Sequence, residues 1–93
     1  MEPWLFADPP NVATFTVRQV LEGSPILHVS HDADDGAWQF LTAGETQEED
    51  ARVVGLGTVV DLDPTIMELA DLPLGWRAWR DTPEGPWRRS PAE

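Results

Sequence analysis

Two runs rich in β-branched and aromatic residues, ILHVSH at 26–31 and AWQFL at 37–41, are separated only by the acidic pentapeptide DADDG. A connection that short, closed by a glycine, brings neighbouring strands together antiparallel, so the chain is expected to contain a β-hairpin. Strand side chains alternate between faces, which places Leu27 with Val29 and Trp38 with Phe40. These four are the expected nucleus of the core.

The rest of the chain arranges itself around this hairpin. Residues 1–11, MEPWLFADPPN, hold three prolines. Proline fixes φ and removes a backbone donor, so this stretch reads as an irregular arm whose Trp4, Leu5 and Phe6 can dock on the domain. VATFTVRQVLEGSP admits either a helix capped by Thr16 or a strand, and a short strand followed by one helical turn is the favoured reading. TAGETQEED at 42–50 carries four acids and no base and reads as a solvated loop. A short strand or turn is expected over 52–56, then a helical turn through Val59 and Val60.

The strongest helix signal is DPTIMELADLP. Asp63 is placed to cap it, Pro64 occupies its first position, Leu62 can staple onto Met67, and Pro73 ends it. Ile66, Leu69 and Ala70 would share its buried face. In GWRAWRDTPEGPWRRS, Trp76, Ala78 and Arg80 fall on one side of a strand and Arg77 and Trp79 on the other. DTPEG supplies turn chemistry, and Trp87 to Arg89 can return as an edge strand. The expected architecture is α+β: a small, mostly antiparallel sheet with one or two short helices on one side. It forms a single domain over 12–90, with a frayed end at 91–93.

The chain has 93 residues, enough for one hydrophobic core, and its 41% hydrophobic content with five tryptophans argues against disorder. Seventeen acids against six arginines leave a formal charge of −11. A field of that sign repels phosphate backbones and anionic lipid, so nucleic acid and membrane surfaces are disfavoured partners. The absence of cysteine excludes disulfides and thiolate metal sites and suits a reducing cytosol. No segment approaches the roughly 20 apolar residues of a membrane span.

Candidate chemistry is sparse. Asp32, Asp34 and Asp35 are hard oxygen ligands, but with Asp32 in first position the EF-hand glycine comes one place early and Ala43 stands where a bidentate Glu belongs. A plain hairpin loop is the simpler reading, and no metal or cofactor is expected. His28 and His31 lie three apart on a strand and so point to opposite faces, which rules out a joint site. Either alone could act as a general base beside a carboxylate, although a structural histidine is the commoner outcome. GLG at 55–57 is too short for a phosphate fingerprint. The most suggestive feature is C-terminal: four of the six arginines fall within 77–89 beside three tryptophans. Arg and Trp are enriched at binding hot spots, yet they also serve a small core and can neutralise acids in the same molecule.

The stretches HDADDGAWQFL, VVGLGTVVDLDPTIMELADLPLGWRAWR and PWRRS resemble a family of small uncharacterised bacterial proteins. Its marks are an acidic-loop, Gly-x-Trp-x-Phe hairpin, a helix begun at Asp-Pro and a Leu-Pro-x-Gly-Trp ending, and the likeness covers about residues 13–90. Some of its members are described as immunity proteins of polymorphic toxin systems. The resemblance implies an α+β domain and toxin binding for some members, and it carries over no catalytic residue; the proline-rich start lies outside its pattern.

The leading expectation is therefore a non-catalytic protein-binding module, immunity-like, for a basic, toxin-like protein partner. Asp32, Asp34, Asp35, Glu48, Glu49 and Asp50 would steer the encounter, and Trp79, Arg80 and Arg77 would anchor it. Two rivals stand beside it: a small enzyme or ligand-binding domain using His28 or His31 with a nearby Asp, and a structural domain dimerising through its Trp face.

Overall fold

The computed structural model describes residues 4–44 and 46–92. Residues 1–3 of the expected arm, Glu45 of the acidic loop and Glu93 lie outside the described residues. Six strands, β1 (Ala13–Val17), β2 (His28–His31), β3 (Trp38–Leu41), β4 (Ala51–Gly55), β5 (Trp76–Trp79) and β6 (Arg88–Pro91), form one sheet in the order β4-β1-β3-β2-β5-β6. All neighbours are antiparallel except β1 and β3. The helices are short: α1 (Arg18–Leu21), α2 (Leu56–Leu62), a 3₁₀ turn at Glu48–Asp50 and a 3₁₀ helix at Pro64–Leu69. The expected α+β class holds.

The hairpin forms as read from the sequence, with His28 opposite Leu41 and His31 opposite Trp38. Asp35 Oδ1 accepts from the amide of Ala37 at 2.9 Å, and Gly36 takes φ 73°, a left-handed conformation that glycine adopts without steric cost. The segment 12–25 also takes the favoured form, strand then one helical turn. Gly23, at φ 116°, terminates that turn.

One row of the register, Thr16, Phe40, Val29 and Ala78, crosses four strands and is buried throughout. Leu56 and Val59 from α2, Ile66 and Leu69 from the 3₁₀ helix, and Val20, Ile26, Leu72 and Phe6 complete the core over it. Each of these side chains contributes roughly 1.5–3 kcal/mol by leaving water. Thr16 is tolerated there because its hydroxyl donates to the Phe40 carbonyl at 2.7 Å. Three of the four expected core residues are buried; Leu27 is only half-buried, and its neighbour Ile26 takes the core position.

Asp63 caps the helix signal as expected, accepting from Thr65 N at 3.0 Å, but the segment winds as a 3₁₀ helix. At three residues per turn, positions three apart eclipse, so Ile66 and Leu69 face the core together. Leu62, expected to staple onto Met67, is 48% exposed. Asp63 itself is extended, at φ −148° and ψ 90°.

The N-terminal arm docks through Phe6, whose ring meets Trp38 edge-on at 5.2 Å, while Trp38 Nε1 donates to Asp8 Oδ2 at 3.0 Å. At the other end, β6 runs to Pro91, and the Ala92 amide donates to the Gly75 carbonyl at 2.7 Å. The chain is thus paired through residue 92 where the sequence suggested fraying from 91, because an edge strand secures its backbone through its neighbour regardless of side-chain polarity.

Candidate protein-binding face

The sheet face opposite the Thr16–Phe40–Val29–Ala78 row carries a second set of side chains. Register places Val53, Phe15, Gln39, Ser30, Arg77 and Ser90 in one row across it, and Leu41, His28, Trp79 and Arg88 in the next. Phe15 is 43% exposed and Val53 63%. The Arg77 guanidinium lies 4.8 Å from the centre of the Trp79 ring, a cation–π contact between two residues on the same face of β5. Rigid, amphipathic contact area of this kind binds a partner at small entropic cost.

His28 sits between Leu41 and Trp79 on this face. Burial, and secondarily the positive charge of Arg77, lower its pKa from the ordinary histidine range. His31, on the core face as the spacing required, stacks on Trp38 with ring centres 3.9 Å apart. Its Nδ1 donates to the Leu72 carbonyl at 2.8 Å, which fixes tautomer and orientation. That is a structural arrangement. Among the described residues no group of three His, Asp or Glu side chains is placed to hold a metal ion.

Arg80 is separated from its neighbours Arg77 and Trp79. It is 4% exposed; Nη2 donates to Asp63 Oδ2 at 2.7 Å, Nη1 to Thr65 Oγ1 at 3.0 Å and Nε to the Ile26 carbonyl at 3.0 Å. Trp87 covers the guanidinium at 4.1 Å. The reading of Arg80 as a surface anchor is corrected: its donors are engaged inside the fold, where a buried charge must be paired. Strand alternation had already grouped it with Ala78, and that was the available signal.

The acids gather at the two ends of the strands. Asp32, Asp34 and Asp35 occupy the β2–β3 turn, where Asp32 accepts from Gln39 Nε2 at 2.8 Å and Asp34 is exposed. Glu48, Glu49 and Asp50 precede β4 at the opposite end. Glu48 and Glu49 are exposed, but Asp50 is 8% exposed and receives Gln19 Nε2 at 2.8 Å and Arg18 Nε at 2.9 Å. The Gln19 hydrogen bond, followed by that of Arg18, holds its carboxyl below the usual carboxylate range. Asp50 is thus a clamp between α1 and the loop, and nothing in the run of acids distinguished it from its neighbours.

Two clefts adjoin along Thr42, Ala43, Gly44 and Thr46. One, of about 530 Å³, is walled by Leu27, His28, Leu41 and Asp81; the other, of about 70 Å³, by Val17, Gln19, Gln47 and Asp50.

The geometry defines an α+β protein with one six-stranded, mostly antiparallel open sheet and short helices. Comparison with family models, curated proteins and solved structures found no match.

Proposed function

We propose that the chain is a non-catalytic protein-binding module of the immunity-protein type, acting in the cytosol on a basic, toxin-like protein. The observation that carries this reading is the sheet face opposite the Thr16–Phe40–Val29–Ala78 row, on which Phe15 and Val53 are exposed, Leu41 and Trp79 are half-buried and Arg77 is stacked on Trp79. Phe15 and Val53 are exposed opposite each other on β1 and β4, and neighbouring exposed apolar side chains are the kind of surface interaction sites use. Acidic loops at both ends of the same strands support a basic partner, because a net charge of −11 accelerates encounter with a cationic surface and slows it with an anionic one. The same charge weighs against nucleic acid.

The test is retention of a basic protein from host lysate on immobilised protein at low and moderate salt, against a Trp79→Ala, Arg77→Ala variant shown to be folded. Salt-sensitive retention by the wild type and loss in the variant support the reading. Equal retention by both proteins would remove the Trp79 face from it.

A further inference from the structure

We propose that the chain pairs with a second copy of itself through β4, the two strands running antiparallel about Val53. β4 ends the sheet, with β1 on one side of it. In an antiparallel ladder the backbone groups of successive residues point alternately toward the neighbouring strand and away from it. Val54 O accepts from Thr14 Oγ1 at 3.0 Å, and the Leu56 amide donates to the Val12 carbonyl at 2.9 Å, so the even-numbered residues of this stretch face β1. Ala51, Val53 and Gly55 therefore turn their amides and carbonyls outward from the sheet. Arg52 Nη1 holds the Ala51 carbonyl at 2.9 Å, an exposed contact that an incoming amide can replace.

A second β4 suits this edge because the outward groups are symmetric about Val53. Antiparallel pairing sets Val53 against Val53 of the copy and Ala51 against Gly55 of the copy, so each outward donor meets an outward acceptor in a two-fold arrangement. Both end residues are extended, Ala51 at φ −63° and ψ 139° and Gly55 at φ −70° and ψ 147°, which lets the ladder run the length of the strand. The side chains agree. Val53, 63% exposed, meets its counterpart and joins the Phe15–Val53 pairs of both molecules into one apolar row, while Ala51 and Gly55 are small enough to face each other at the ends. Charge agrees as well: β4 contains no carboxylate, and the antiparallel arrangement carries the two Glu48–Asp50 turns to opposite ends of the shared ladder. The other edge, β6, is guarded against the same event by Pro91 and by the exposed Arg88 and Arg89. Pairing at β4 leaves Trp79 and Arg77, toward the far side of the sheet, to the protein partner.

The experiment is sedimentation equilibrium of the full chain up to about 1 mM at low and moderate salt, with amide exchange followed by NMR across the same concentrations. The expected result is a monomer–dimer equilibrium that tightens as salt rises, because two molecules of charge −11 repel each other until screened. Exchange at Ala51, Val53 and Gly55 should slow with concentration, while Arg52 and Val54, which face β1, stay unchanged. Val53→Glu sets two carboxylates opposite each other at the axis and should weaken the dimer about tenfold or more, with a urea midpoint close to that of the wild type. Trp79→Ala should leave dimerisation unchanged. A monomer throughout, a dimer that Val53→Glu leaves intact, or one that Trp79→Ala abolishes would each overturn the proposal. The basic-partner reading stands or falls separately, since salt weakens that association and strengthens this one.

Discussion

Arg80 and Asp63 are joined at 2.7 Å beneath the ring of Trp87, tying the end of β5 to the start of the 3₁₀ helix across the core. The Arg80 side chain is almost wholly buried, and Asp63 is one-fifth exposed. Removing one partner of such a pair leaves the other without compensation. Arg80→Ala should therefore destabilise by about 3 kcal/mol and Asp63→Asn by somewhat less, against a total of about 5–15 kcal/mol for a small domain. Urea unfolding of both variants checks this. A loss under about 1 kcal/mol for Arg80→Ala would mean that the pair stabilises little.

Trp79 and Arg77 should behave in the opposite way. They stack along β5, where Trp79 faces His28 and Arg88 on the neighbouring strands; cross-strand pairs contribute roughly 0.2–1 kcal/mol each, so Trp79→Ala should cost about 1 kcal/mol. Its effect should appear in partner binding, where truncating an aromatic anchor costs about 2 kcal/mol or more. Paired denaturation and binding measurements separate the two.

His28 provides a pH signature. Burial and Arg77 lower its folded pKa below the ordinary value of 6.5, so the unfolded chain takes up a proton first as pH falls. The stability associated with the neutral imidazole is present above that ordinary value and is lost as pH drops from there through the folded pKa. Imidazole titration by NMR should show the depressed value. Arg77→Ala should raise it only in part, since burial is the larger cause.

The N-terminal arm is fastened at Asp8, whose carboxylate accepts from Trp38 Nε1 at 3.0 Å and whose carbonyl accepts from Trp4 Nε1 at 2.7 Å. Asp8→Ala should leave the buried indole N–H unpaired and cost about 1–2 kcal/mol. A red-shifted tryptophan emission in the folded variant would report the loosened arm. Unchanged emission and stability would show that apolar contact of Phe6 with Trp38 suffices.

The parts of the fold legible in the sequence are those built from neighbours along the chain. Alternation in ILHVSH and AWQFL, with a five-residue turn between them, dictates the register that sets Val29 against Phe40. The same logic made the return of Trp87 to Arg89 beside β5 readable from DTPEG, and separated His28 from His31. For the candidate site, alternation alone placed Trp79 and Arg77 on the face away from Ala78. Less was legible where composition misled. Asp50 looked like one more acid in a solvated run, and Arg80 looked like one more arginine in a basic cluster.

What the amino-acid sequence by itself determined was local: which segments extend, where they turn, which side chains share a face and the sign of the whole charge. Each of these follows from backbone sterics, the period of a strand or a sum of ionised groups. Only the tertiary structure decided that β1 lies parallel to β3 and between it and β4, and that Asp50 and Arg80 are enclosed by Gln19 and Arg18 in one case and by Asp63 and Trp87 in the other. Those outcomes depend on contacts between residues far apart in the chain, where the cost of closing long loops and burying charge is balanced against the packing of the core as a whole, so no local pattern encodes them.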